Sequence, residues 1–209
     1  MSPERTEGRA TDMVDAAIKI LGTHGARALT HRAVDRELGI PEGSTSNYFR
    51  TRHALLEAVF RQICALDAIF LERLAELGSE LEPGVESVVR LVVTAVERWI
   101  VEPQYRQRQR ARIEIYLISS GDEQLANVVS EFRDEFRQQM AAVFAQMGVS
   151  IDQGGMRLVI SLADGMILDE LIAGETGLVD KDLLWKVWAE FLNLLSVPER
   201  RSEPEPGGP

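Results

Sequence analysis

Four consecutive short polar side chains, Ser44, Thr45, Ser46 and Asn47, stand in a stretch flanked by helical signals. Serine, threonine and asparagine are weak helix formers, because their side chains compete for the backbone's hydrogen bonds. A helix that gives up propensity for such groups implies a role that uses them. Reading base edges in a DNA major groove is such a role. Asn47 can pair with adenine, and the Thr45 methyl can meet a thymine methyl. Groups suited to phosphate oxygens surround them, with Thr30 and His31 before, Tyr48 beside, and Arg50, Thr51 and Arg52 after. Phe49 is expected to turn inward and set the angle of the reading segment. A polar loop without a partner is the competing reading.

No catalytic or metal pattern competes with this one. The chain has no G-x-S-x-G elbow, no H-E-x-x-H, no phosphate loop and no Cys/His metal spacing. His24, His31 and His53 fall in separate segments with no cysteine near them. The expectation is a protein that is not an enzyme and takes no cofactor or metal.

The elements that must hold the reading segment are legible in the apolar spacing. Val14, Ala17, Ile18 and Leu21 follow i, i+3, i+4, i+7, one face of a helix that ends at Gly22 and Gly25. A second helix is predicted over Thr30 to Leu38, with Thr30 as its N-cap and Gly39 at a sharp exit. Pro41 and Glu42 are expected to open the third, over about Glu42 to Phe49, since proline fits a first helical turn. A long helix follows from Arg52 to Leu77, striped by Leu56, Val59, Phe60, Ile63, Phe70, Leu74 and Leu77. Two short helices and a tight turn, followed by a long helix, outline a helix-turn-helix DNA reader. Residues 1–9 are expected to be a mobile arm whose Arg5 and Arg9 could reach a backbone or groove.

Five more helices are predicted, over about Val85–Val101, Gln104–Ser119, Asp122–Met147, Asp152–Ala173 and Asp180–Leu195. Residues 198–209, rich in Pro, Gly and charge, are expected to be disordered. The fold class is all-α. A three-helix head over 10–60 is joined through a long helix to a body over 61–197, with the junction near Arg61. No alternating run argues for a sheet.

The head resembles the TetR family of bacterial one-component regulators. The residues that carry the resemblance are Thr30, Val34, Leu38, Gly39, Ile40, Gly43, Ser44, Tyr48, Phe49, Arg52, Leu55 and Leu56, preceded by LGTHGARALT. Three positions depart from the family pattern: Asp35 stands where alanine is usual, Pro41 replaces a capping serine, and Ser46 occupies a position often held by tyrosine. Arg52 for lysine keeps the charge and changes its geometry. The resemblance implies a body that encloses a small effector, whose binding releases the protein from DNA. Residues placed in that pocket are Trp99, Arg112, Tyr116, Phe136, Met140, Asp164 and Met166, with Tyr105 and Phe132 among the same aromatic set. For any one of these, ordinary core packing is the competing reading.

The run of Arg106, Arg108, Arg110 and Arg112 cannot share one helical face. Some must reach solvent, while Arg112 or Glu114 can pair inside. Asp164 and Asp169, within an apolar segment, can meet a helix partner or face a pocket. In the last helix Leu183, Leu184, Trp185, Val187, Trp188, Phe191, Leu192, Leu194 and Leu195 cover more than one face, which needs more than one partner surface. Leu162, Met166, Leu184, Trp188, Phe191 and Leu195 are assigned to a homodimer interface of two helices per chain, which is also the family's usual dimer. A two-fold dimer would read a palindromic operator, its reader helices ~34 Å or a multiple apart.

Net charge is -10, which by itself disfavours a nucleic-acid partner. The distribution is uneven: residues 1–61 hold nine Lys/Arg against eight Asp/Glu, and the remainder fourteen against twenty-five. Cys64 is the one cysteine and lies among apolar residues, so it reads as a small core hydrophobe in a reducing compartment. No apolar run reaches the ~18 residues of a membrane span, and the polar N-terminus is unlike a signal peptide. A cytoplasmic location without membrane contact is expected. The reading is thus a DNA-binding transcriptional regulator, a repressor released by a small molecule. Its rivals are a regulator without a small ligand, controlled by a protein or constitutive, and a helical carrier or enzyme with a vestigial head.

Overall fold

The computed structural model describes residues 3–173 and 180–196; for 3–7 and Leu71 it describes the backbone only. Among the described residues there are nine helices: α1 (Pro3–His24), α2 (His31–Leu38), α3 (Ser44–Tyr48), α4 (Arg52–Ser79), α5 (Val85–Val101), α6 (Pro103–Ser119), α7 (Glu123–Gln146), α8 (Gln153–Ala173) and α9 (Lys181–Leu195). One isolated antiparallel bridge, Ile151 to Ser196, is the extent of β pairing among them. The tail expected at 198–209 lies outside the described residues.

Most helix boundaries follow local chemistry. Thr30, Thr51 and Asp122 cap α2, α4 and α7, each accepting from the backbone N–H three residues on, at 3.0–3.1 Å. Pro103 starts α6, where its missing N–H costs nothing. Gly39 closes α2 in the left-handed region at φ 64°, a conformation that disfavours side chains with a Cβ.

Two expectations are corrected. The arm expected at 1–9 is, from Pro3 onward, the first two turns of α1. Proline suits that first position for the same reason as in α6. The third helix is shorter than expected. Pro41 and Glu42 belong to a turn in which the Ser44 N–H and hydroxyl both donate to the Pro41 carbonyl, at 3.1 and 2.6 Å. Gly43 is the N-cap, and the helix holds only five residues.

Burial divides into two apolar clusters that share one seam. The first joins α1, α2 and the first half of α4 through Leu21, Leu29, Val34, Leu55, Val59, Phe60 and Ile63. It also takes Ala111 and Ile115 from α6 and Leu125 and Val129 from α7. The second joins the end of α4 to α5, α7, α8 and α9, with Phe70, Leu74, Trp99, Phe144, Met156 and Trp188 inside it. The stripe of α4 therefore passes from one cluster to the other between Ile63 and Phe70. Asp67, wholly buried, sits at that crossing.

Close packing of α1 against α6 ties the head to the body. A methyl at Gly22 would overlap the Gln107 carbonyl oxygen, so only glycine allows this approach. Gln107 donates to the Thr23 hydroxyl at 2.7 Å, and Glu114 accepts from the Ala26 N–H at 3.0 Å. His53 and Asp122 meet at 2.9 Å across the same boundary. Cys64 is half-buried against the first cluster, and burial pushes its thiol well above its usual range.

Candidate nucleic-acid interface and inner cavity

The start of the reading segment is held from below by one residue. Asp35 in α2 is 1% exposed. Its carboxylate accepts from the Gly43 N–H at 2.8 Å, the Thr45 N–H at 2.8 Å and the Thr45 hydroxyl at 2.6 Å. Burial acts to raise its pKa, but these three bonds prevail and hold the carboxyl below the usual value. The unpaired N–H groups at the start of α3 thus have a fixed partner. On this support Ser46 and Asn47 are exposed, and Ser44 and Tyr48 are half-buried.

Two expected contacts are corrected. Thr45 is wholly buried, with its hydroxyl committed to Asp35, so it supports α3 and has no surface for a thymine methyl. His31 is half-buried, and its Nε2 donates to the Phe49 carbonyl at 2.6 Å. That bond pins the end of α3 and leaves only Nδ1 of the ring for a phosphate.

The remaining expected residues lie around α3. Thr30 and Thr51 are exposed at the N-termini of α2 and α4, where each hydroxyl oxygen accepts the capping bond and its proton is left to donate. Such helix starts attract anions. Arg50 and Arg52 are exposed, and Arg52 also donates to the Ala26 carbonyl at 2.8 Å. A groove of about 580 Å³ runs beside the reader, and Arg9 on α1 shares it with Ser44, Asn47 and Tyr48.

In the body, a mostly apolar cavity of about 50 Å³ lies among α4, α5, α6, α7 and α8. Six of the seven expected pocket residues line it: Trp99, Arg112, Tyr116, Phe136, Met140 and Asp164. Met166 does not. It lines a separate groove of about 300 Å³ with Leu162, Gly165 and Asp169 of α8 and Leu184 of α9. Phe132 and Arg133 also belong to the cavity wall, most of the rest of which is aliphatic. Phe132 stacks edge-on with Phe60 of the first cluster at 5.5 Å, and Tyr116 meets the same ring at 6.2 Å.

A buried charged cluster backs the wall. Asp67 is paired with Arg112 and lies 3.3 Å from Arg108. Burial acts to lower the Arg112 pKa, yet Asp67 outweighs it and keeps the guanidinium charged. Asp164 accepts from Arg133 at 3.0 Å. Arg106 donates to the Ile100 and Glu170 carbonyls, and Arg110 is exposed, so the arginine run does divide between inside and outside. Asp67 and Arg108 were missed from sequence. The available signal was an aspartate set in the apolar stripe Phe60, Ile63, Phe70, Leu74, where a hydrophobe belongs.

The expected interface is corrected at two positions. Leu184 is 2% exposed and Trp188 is wholly buried, both packed in the second cluster with α5. Leu162, Met166, Phe191 and Leu195 are half-buried. The open apolar surface is instead Leu158, Leu168 and Ile172 on α8 and Leu183, Val187 and Leu194 on α9. Each set recurs at helical spacing and forms one stripe.

Comparison with known proteins follows this division. The family description "Bacterial regulatory proteins, tetR family" matches residues 13–59, and "Tetracyclin repressor-like, C-terminal domain" matches residues 83–184. The chain belongs to the TetR family of bacterial regulators. It is 27% identical over 194 residues to the HTH-type transcriptional regulator BetI of Escherichia coli O139:H28 (strain E24377A / ETEC), covering 88% of this chain and 92% of that one. BetI of Shigella flexneri serotype 5b (strain 8401) matches to the same extent. Among solved structures, a TetR-family regulator from Mesorhizobium loti MAFF303099 superposes with a TM-score of 0.69 at 15% identity, over 91% of this chain and 96% of that one. The multidrug binding protein EbrR, complexed with ethidium, does so with a TM-score of 0.68 at 24% identity, over 91% and 99%. As a TetR-family member the chain is a helix-turn-helix transcriptional regulator, and its all-α fold is that of its relatives. No described helix is long and apolar enough to cross a membrane, and no described cluster of three His, Cys, Asp or Glu could hold a metal ion.

Proposed function

We propose that the protein is a cytoplasmic, non-enzymatic repressor that binds a palindromic operator as a homodimer and leaves it when a small molecule enters the body. Residues 10–60 form the DNA-binding unit, and 61–197 the effector and dimer unit. The observation that carries the reading is the exposure of Ser46 and Asn47 on a helix whose start Asp35 fixes with three hydrogen bonds. The exposed starts of α2 and α4, with Thr30 and Thr51, flank it and suit phosphates. The groove beside α3 adds Arg9 as a backbone or minor-groove contact.

The apolar stripes of α8 and α9 support a two-fold dimer in which each stripe meets its copy. The rings of Phe132 and Tyr116 link the cavity to Phe60 in the head core. A ligand that moves either ring favours a different head position, and a population of mismatched dimers leaves the operator. The structural relative EbrR was crystallised in complex with ethidium, which supports a body that takes organic molecules. A second reading, regulation without a small ligand, is favoured by one observation: about 50 Å³ is less than the ~150 Å³ that holds a benzene in a protein interior. The effector reading therefore requires the cavity to enlarge on binding.

Selection of bound fragments from genomic DNA by the purified protein tests this directly. A palindromic consensus is expected. On the selected site, Asn47→Ala should flatten the preference among base variants by about 1–3 kcal/mol at one position. Arg52→Ala should weaken all sequences alike and lower the salt slope by about one. Unchanged base preference in Asn47→Ala would remove Asn47 from the reading role.

A further inference from the structure

The buried cluster behind the cavity is one carboxylate short. Asp164 neutralises Arg133, but Arg108 and Arg112 share the single carboxylate of Asp67. Arg108 and Arg112 are 7% and 4% exposed, so solvent does little to screen the surplus charge. Most of the cluster's buried polar atoms without a hydrogen-bond partner are donors. Arg112 Nε and Trp99 Nε1 are two of them, and both belong to residues that line the cavity. The Arg112 guanidinium carbon lies 5.9 Å from the centre of the Trp99 ring, so the two side chains are neighbours. Another buried donor without a partner, Gln109 Nε2, belongs to an outer groove of about 240 Å³ between α6 and α8. Arg112, Tyr116 and Asp164 line both spaces and form the partition between them.

We propose that the effector is an apolar or aromatic molecule bearing one carboxylate, which enters through the α6–α8 groove and seats its carboxylate against Arg112 and Trp99. This rests on the effector reading above and names its chemical class. A buried donor without a partner is costly, and a carboxylate is the acceptor that satisfies donors and offsets positive charge together. The apolar remainder of the ligand meets Phe132, Phe136 and Met140. Parting Tyr116 and Asp164 joins the inner cavity to the groove and supplies the room the cavity lacks. A cationic ligand would add charge to a site already in positive excess.

Titration calorimetry of the full chain with three matched probes tests the proposal: 4-phenylbutanoate, 4-phenylbutanamide and 4-phenylbutylamine, with ethidium as a bulky cationic control. The carboxylate should bind at least about tenfold tighter than the amide and the amine. Arg112→Met should abolish that preference. Trp99→Phe, which keeps the ring and removes the donor, should reduce it several-fold and remains informative if Arg112→Met fails to fold. Equal or tighter binding of the amine, or binding of ethidium alone, would overturn the carboxylate class and leave the effector reading standing. Binding of none of the four would overturn both.

Discussion

Asp35 in the head and Asp67 at the seam are both buried carboxylates, and their surroundings are opposite. Asp35 meets three donors from the segment it supports, at 2.6–2.8 Å. Asp67 faces two guanidiniums, and that cluster keeps buried donors without partners. A fully satisfied buried network rigidifies what it holds, whereas a partly satisfied one is a place where the structure can gain by changing. On the proposed reading, the head is thus built in its reading geometry before DNA arrives. The body has a reason to rearrange when a suitable ligand does.

Substitutions can break this comparison at either end. The largest loss of stability is expected from the body's anchor: Trp188→Ala should cost about 3–5 kcal/mol in denaturant unfolding, because the ring is wholly buried. A loss below about 1 kcal/mol, with monomer formation, would return Trp188 to the dimer face. Asp35→Ala should cost about 3 kcal/mol, roughly one per lost hydrogen bond. It should abolish operator binding while light scattering reports the same oligomeric state as the wild type. Gly22→Ala should cost about 1–3 kcal/mol as α1 and α6 are forced apart at Gln107. Gel shifts at fixed temperature should find its operator binding weakened even where the protein is folded.

The smallest effect concerns pH. The folded-state pKa of Asp35 is depressed, so its stabilisation is complete above the unfolded value of about 3.9 and is lost as pH falls through the lower folded value. Unfolding free energy of the wild type should therefore fall below about pH 4 by more than that of Asp35→Asn. Parallel acid limbs in the two proteins would contradict the assigned network.

The contrast also explains what could be read from sequence. The bounds of α5 follow from its apolar stripe and from Pro103, both local signals. The aspartate at 35 was visible as a departure from the family pattern, but its three bonds depend on how α2 meets the 41–45 turn. Pro41 misled because proline suits a turn as well as a first helical position, and Gly43 decided for the turn. In α9, apolar residues on several faces announce two partner surfaces without saying which is which. Burial assigns Leu184 and Trp188 to this chain's own core and leaves Leu183, Val187 and Leu194 outside. Met166 failed for the same reason, one face of α8 being indistinguishable from the next in an apolar segment. Six cavity residues were legible because aromatic, sulfur-bearing and charged groups in middle helices have few places to go.

Amide hydrogen exchange on the full chain, without DNA or ligand, tests the comparison most directly. The Gly43 and Thr45 amides bonded to Asp35 should exchange as slowly as those in the middle of α4. On adding 4-phenylbutanoate, protection should change in α6 and α7 and stay constant at Gly43 and Thr45. Rapid exchange at Gly43 and Thr45 in the free protein would contradict a reader built before DNA arrives.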